Sequence, residues 1–155
     1  MNGAMVVLLL GAAPVPAAQP QKAVVFVCEH GSVKSLIAAE WFNRLARERG
    51  VALRAVSRGV KPDDSVPLPI ADALARDGFD VKGFSPRGLE PSELTTAARI
   101  VAIGVDGRAF PPTVGGRVEK WDAIPPTSEG YEGTRDALKA RVQALIDTLE
   151  PKERQ

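Results

Sequence analysis

Ala23-Val24-Val25-Phe26-Val27-Cys28-Glu29-His30-Gly31-Ser32-Val33-Lys34-Ser35-Leu36-Ile37 passes from a continuous apolar run, through a short polar loop, into a stretch with helical periodicity. Val24 to Val27 has the β-branched and aromatic content of a strand buried on both faces. Beyond the loop, Val33, Leu36, Ile37, Trp41 and Leu45 fall on one face at helical spacing, and Gly50 stands where a C-terminal cap belongs. Cys28, the sole cysteine, therefore sits where a strand ends and a helix is about to begin. Backbone N–H groups at a helix start have no partners inside the helix, and with the helix dipole they favour a phosphate-like anion. The same field favours the thiolate form of Cys28, and Lys34 adds a cation nearby. Gly31 allows a tight turn with inward amides, while Ser32 and Ser35 contribute hydroxyls.

Outward from this stretch, strands and helices alternate. Leu53 to Val56 predicts a second strand, followed by Ser57-Arg58-Gly59 and a break at Lys61-Pro62-Asp63-Asp64. Ile70, Ala73 and Leu74 predict a second helix ending at Gly78; Phe79 to Leu89 reads as loop, and Pro91 opens a short helix through Ala98. Arg99 to Val105 reads as a third strand and Arg117 to Trp121 as a fourth, with loops at Asp106 to Gly116 and Asp122 to Gly133. Leu138, Val142, Leu145, Ile146 and Leu149 mark a terminal helix. This order predicts an α/β fold with a parallel sheet covered on both faces, whose ligands bind beyond the carboxyl ends of the strands. Cys28 lies at that edge.

With 155 residues and 45% hydrophobic content, the chain suits one domain, over residues 21–150, flanked by 1–20 and a tail at 151–155. Its 20 basic and 19 acidic residues leave no electrostatic footprint for nucleic acid. One Cys and one His exclude an intramolecular disulfide framework and argue against a zinc site, so no metal or cofactor is expected. Met5-Val6-Val7-Leu8-Leu9-Leu10, followed by small residues and prolines, reads as an export leader and is too short to span a bilayer comfortably. Residues 1–4 carry no Lys or Arg, so a cytosolic chain with a disordered tail is the alternative.

At Cys28, Lys34 and Ser35 the chain resembles the low-molecular-weight protein tyrosine phosphatase superfamily, which includes related arsenate reductases, whose signature is Cys-x5-Arg-Ser after the first strand. The resemblance runs from residue 23 to about 149 and implies a three-layer α/β/α fold with a four-stranded parallel sheet. It also implies a cysteine nucleophile, a Ser35 hydroxyl bonded to the cysteine sulfur, and a phosphate-binding segment of Glu29, His30, Gly31, Ser32, Val33 and Lys34. Ser57 to Gly59 stands where the family has a Ser-Ala-Gly-Thr-like turn. Lysine replaces the signature arginine, exchanging a bidentate fork for a point charge. The family's aspartate-proline acid is missing as well, because Trp121-Asp122-Ala123-Ile124-Pro125-Pro126 puts Pro125 in its place. Asp122 is the expected substitute and Asp106 a weaker one.

Each residue also has a plainer reading. Cys28 could pack as a small hydrophobe, Lys34 could extend from the first turn into solvent, Ser35 could be an ordinary helix residue, and Asp122 could be a solvated loop carboxylate. His30 either is solvated or helps to hold Cys28 as thiolate. A carboxylate in an anion cradle repels phosphate, so Glu29 is expected to point away. Tyr131 either lines the entrance or starts a helix. The leading function is hydrolysis of a phosphomonoester through a phosphocysteine, on a phosphorylated protein, with phosphotyrosine a candidate, or on a small-molecule phosphate. Single-cysteine arsenate reduction with an external thiol and non-catalytic oxyanion binding are the alternatives.

Overall fold

The structure is a computed structural model that describes residues 22–150, so the expected leader at 1–20 and the tail at 151–155 lie outside the described residues. Four strands, β1 (Ala23–Cys28), β2 (Arg54–Gly59), β3 (Arg99–Ile103) and β4 (Val118–Trp121), form one parallel sheet in the order β2-β1-β3-β4. The expected α/β architecture and four-stranded parallel sheet are therefore present. The helices are α1 (Lys34–Glu48), α2 (Leu68–Arg76), α3 (Pro91–Thr96), α4 (Pro112–Gly115) and α5 (Tyr131–Leu149).

Strand parity sorts the core. Val24, Phe26 and Cys28 join Val101, Ile103 and Trp121 beneath α1, α2 and α5, whereas Val25 and Val27 join Ile100, Ala102, Leu94 and Val114 on the side of α3 and α4. Both faces of β1 are thus buried, as its unbroken apolar run requires. Phe26 anchors the first face, with its ring centroid 6.0 Å from Phe42 and 5.4 Å from Trp121. The same parity turns the Cys28 side chain toward α1.

β3 ends at Ile103 rather than Val105 and α3 at Thr96 rather than Ala98, and three further boundaries depart more from the sequence reading. β2 continues through Ser57, Arg58 and Gly59, which carry no apolar run, because Cys28 pairs with Gly59 and the β1 ladder extends the strand. The loop after β3 contains a 3-10 turn at Gly107–Ala109 and the short α4, started by Pro112. The loop after β4 stops earlier than its composition indicates: a 3-10 turn at Thr127–Glu129 leads into α5 at Tyr131, with Gly130 at φ 128° making the turn. No helix among the described residues is long and apolar enough to cross a membrane.

Candidate active site

Register fixes where the cysteine loop lies. Beyond the Cys28–Gly59 pair, the N–H groups of Val60, Lys61 and Asp63 donate to the carbonyls of Cys28 (3.0 Å), Glu29 (2.8 Å) and His30 (3.0 Å). Tying these carbonyls to the segment after β2 turns the loop amides the other way. Gly31 has φ 67°, and a Cβ there would meet the Gly59 nitrogen at 2.7 Å; one on Gly59 would meet the Gly31 nitrogen at 2.7 Å. The two glycines therefore permit a backbone-to-backbone approach that no side chain could share.

No side chain caps the start of α1. Among the described residues, the N–H groups of Ser32, Val33, Lys34, Ser35 and Leu36 donate to no protein acceptor. A helix start left this way presents donors and a positive dipole end to whatever occupies the loop.

Cys28 is 6% exposed, and its sulfur is not sealed in hydrocarbon. Sγ accepts from the Gly31 N–H at 3.2 Å and lies 3.0 Å from Ser35 Oγ. Ser35 Oγ lies 2.7 Å from Ser57 Oγ, which donates to the Gly31 carbonyl at 3.1 Å. With Cys28 as thiol, its S–H and the Ser35 and Ser57 hydroxyls supply three protons for the three contacts running from sulfur through Ser35 and Ser57 to the Gly31 carbonyl, all donated in that direction. With Cys28 as thiolate two protons remain, so when Ser35 turns to donate to sulfur, Ser57 donates to Ser35 and gives up the carbonyl. Ser32, Ser35 and Ser57 are all buried, so each hydroxyl needs such a partner.

A cavity of about 300 Å³ opens above the sulfur, lined by Cys28, Glu29, His30, Val33, Lys34, Ile103, Gly104, Pro126, Thr127 and Ser128. Lys34 is half-buried, and its Nζ donates to the Ile124 carbonyl at 3.4 Å, keeping the ammonium over the sheet edge rather than in solvent. Cys28 and Lys34 are thus brought to one cavity, as the spacing predicts. Glu29 borders it too, as an exposed residue. The Ser32 hydroxyl is spent on Asp63 Oδ2, at 2.5 Å.

Neither expected acid lines this cavity. Asp122 is exposed directly after β4; Ala123 then adopts φ 61°, carrying buried Ile124 inward and aiming its carbonyl at Lys34. Asp106 caps the 3-10 turn at Gly107–Ala109, accepting from the Arg108 N–H at 2.9 Å and its guanidinium at 2.7 Å, which together hold its carboxyl below the usual range. Tyr131 opens α5 and donates to Asp77 Oδ2 at 2.7 Å; burial, then that carboxylate, pushes its hydroxyl well above the usual phenol range. It lines a neighbouring groove that shares Val33, Thr127 and Ser128 with the cavity.

Sequence reasoning did not single out Asp63, Gly104, Thr127 or Ser128. Nothing in the local pattern marks Thr127 and Ser128, because they reach the cavity only through the turn at Ala123. Ser57 and Gly59 carried a signal as a turn, although their roles as a hydroxyl relay and a point of backbone contact depend on strand register.

Comparison with solved structures gives the same fold. The thioredoxin-dependent arsenate reductase of Corynebacterium glutamicum is 18% identical with a TM-score of 0.70, over 86% of this chain and 64% of that one, so this chain spans under two thirds of that relative's length. The low molecular weight protein tyrosine phosphatase of T. tengcongensis is 20% identical with a TM-score of 0.74, over 83% of this chain and 100% of that one. The YwlE arginine phosphatase, a Bacillus subtilis protein, is 16% identical with a TM-score of 0.72, over 84% and 97%. At these identities the likeness speaks for the fold alone. The sequence itself matches the low molecular weight phosphotyrosine protein phosphatase family over residues 23–109, more than half of its length, and the chain belongs to that family.

Proposed function

We propose that the chain is a cysteine-dependent phosphomonoesterase. The observation that carries this reading is the convergence of Cys28 Sγ, the uncapped start of α1 and Lys34 on one cavity. Loop amides and the lysine ammonium hold the phosphoryl oxygens, and a sulfur beneath them is in line to attack phosphorus. The S–P bond forms as the bond to the leaving oxygen breaks; water then attacks phosphorus, releasing phosphate and restoring the thiolate. Ser35 supports the thiolate at each end of the cycle by donating its proton, with Ser57 behind it.

Incubation with p-nitrophenyl phosphate should give turnover that Cys28→Ser abolishes. Equal rates for the two proteins would overturn the assignment. Phosphate binding by calorimetry without hydrolysis over hours would replace it with a non-catalytic oxyanion binder, the reading favoured by lysine at the arginine position. Reduction of arsenate through a relay of three internal cysteines is excluded by the single cysteine of this sequence. We infer also, from the run Met5 to Leu10, that the protein acts outside the cytoplasm, where a glutathione-like reductant is scarce and hydrolysis is favoured over thiol-coupled reduction.

A further inference from the structure

A phosphocysteine cycle needs a proton for the leaving oxygen and later a base for water. The titratable residues lining the cavity are Cys28, Glu29, His30 and Lys34. Cys28 and Lys34 are already committed to attack and charge stabilisation, and Asp122 and Asp106 stand outside. Glu29 has no hydrogen bond to its carboxylate among the described residues, so nothing aims it.

His30 is held. Its Nδ1 lies 3.3 Å from the Lys61 carbonyl oxygen and 3.3 Å from Asp63 Oδ1. Both partners only accept, so Nδ1 carries a hydrogen and Nε2 is the position free to exchange a proton. Asp63 is itself anchored: Oδ2 accepts from buried Ser32 Oγ at 2.5 Å, and its N–H donates to the His30 carbonyl at 3.0 Å. The Ser32 hydroxyl is thus hydrogen-bonded to Asp63, whose other carboxylate oxygen stands at ion-pair distance from His30, and Ser32 and His30 both belong to the Cys28 loop. The Asp63 carboxylate stands 3.3 Å from the imidazole, Glu29, Cys28 and Lys34 line the same cavity as His30, and Lys61 and Asp64 are exposed residues of the segment that His30 contacts.

We propose that His30, oriented by Asp63, is the general acid and base of the site, taking the place of the family's loop aspartate. This rests on the phosphomonoesterase reading. In the first step the thiolate attacks phosphorus, the P–O bond to the leaving group breaks, and that oxygen takes the Nε2 proton, leaving neutral His30. In the second, water attacks the phosphocysteine, gives a proton to Nε2, and the S–P bond breaks to return thiolate, imidazolium and phosphate.

An aryl phosphate series tests the assignment, because a leaving group needs a proton donor in proportion to its basicity. His30→Gln should lower kcat/KM by about 10²- to 10⁴-fold with phenyl phosphate and by less than about fivefold with 2,4-dinitrophenyl phosphate. Asp63→Asn should show the same pattern more weakly, and imidazole should restore part of the phenyl phosphate rate to His30→Ala. Retention of the phosphate-induced rise in melting temperature would show that each variant is folded. Equal losses on both substrates, or Asp122→Asn giving the leaving-group-dependent loss instead, would overturn the role of His30 while the phosphomonoesterase reading stands. Wild-type protein that hydrolyses neither substrate would overturn both.

Discussion

Lys34 stands, on the signature read from the sequence, where the family is expected to carry arginine, and its geometry sets what such an exchange would do. An arginine fork reaches two phosphoryl oxygens; an ammonium offers a point charge, here already leaning on the Ile124 carbonyl at 3.4 Å. That bond is long, so an arriving anion can take the ammonium over at little cost. Lys34→Ala should weaken phosphate binding by about 10- to 150-fold, the equivalent of ~1.5–3 kcal/mol for a hydrogen bond to a charged group. Lys34→Arg should tighten it by roughly tenfold through the second N–H. Calorimetry with inorganic phosphate reads both, and unchanged affinity in Lys34→Ala would place the ammonium outside the anion site. The plainer alternative, a lysine extended into solvent, does not describe a half-buried side chain bonded across the sheet edge.

β2 shows how one short strand serves two purposes on opposite faces. Ser57 turns toward α1 and the sulfur, whereas Arg58 turns the other way and meets Glu93 of α3, with Nε 2.9 Å from both carboxylate oxygens. Glu93 also accepts from the Glu90 N–H at 3.1 Å, tying the start of α3 to the sheet. Burial alone would raise the Glu93 carboxyl; the Arg58 guanidinium and the Glu90 N–H outweigh it and hold the group below the usual carboxylate range. A group lowered on folding contributes stability above its unfolded pKa and loses it as pH falls through the lower folded value. Urea titrations should therefore find Glu93→Gln less stable than wild type by about 1.5–3 kcal/mol at neutral pH, a gap that closes as acid protonates Glu93. A gap independent of pH would remove the ion pair as its cause. β1, β3 and the terminal helix were readable from sequence because their apolar periodicity is local. β2 beyond Val56 was not, because its order comes from pairing with β1, and the first turns of α5 were not, because Tyr131 to Ala137 have too little apolar periodicity to separate them from loop.

Across the whole molecule, Cys28 belongs to the larger of the two cores, so the scaffold beneath α1 and α5 and the candidate site at the strand ends share one packed cluster. The cysteine loop could be read in advance because its chemistry is compressed into eight consecutive residues, Cys28 to Ser35, while the far wall of the cavity comes from β3 and the loop after β4 and depends on sheet order. Site and scaffold can nevertheless be separated by linkage. Leu138 of α5 is fully buried, and Leu138→Ala should cost about 2–5 kcal/mol through lost burial and the cavity left behind. On the proposed reading phosphate binds only the folded loop, so it should add RT ln(1 + [L]/Kd), about 2.7 kcal/mol at a hundredfold excess over Kd. If α5 only covers the sheet, phosphate at a fixed multiple of Kd should add the same increment to wild type and to Leu138→Ala in urea unfolding, whereas Lys34→Ala should keep its phosphate-free stability and lose about half to nine-tenths of the increment at the same phosphate concentration. A smaller increment in Leu138→Ala, with a weaker Kd, would mean that the packing of α5 against α1 holds the helix start in register with the sulfur, and that the cover is part of the site.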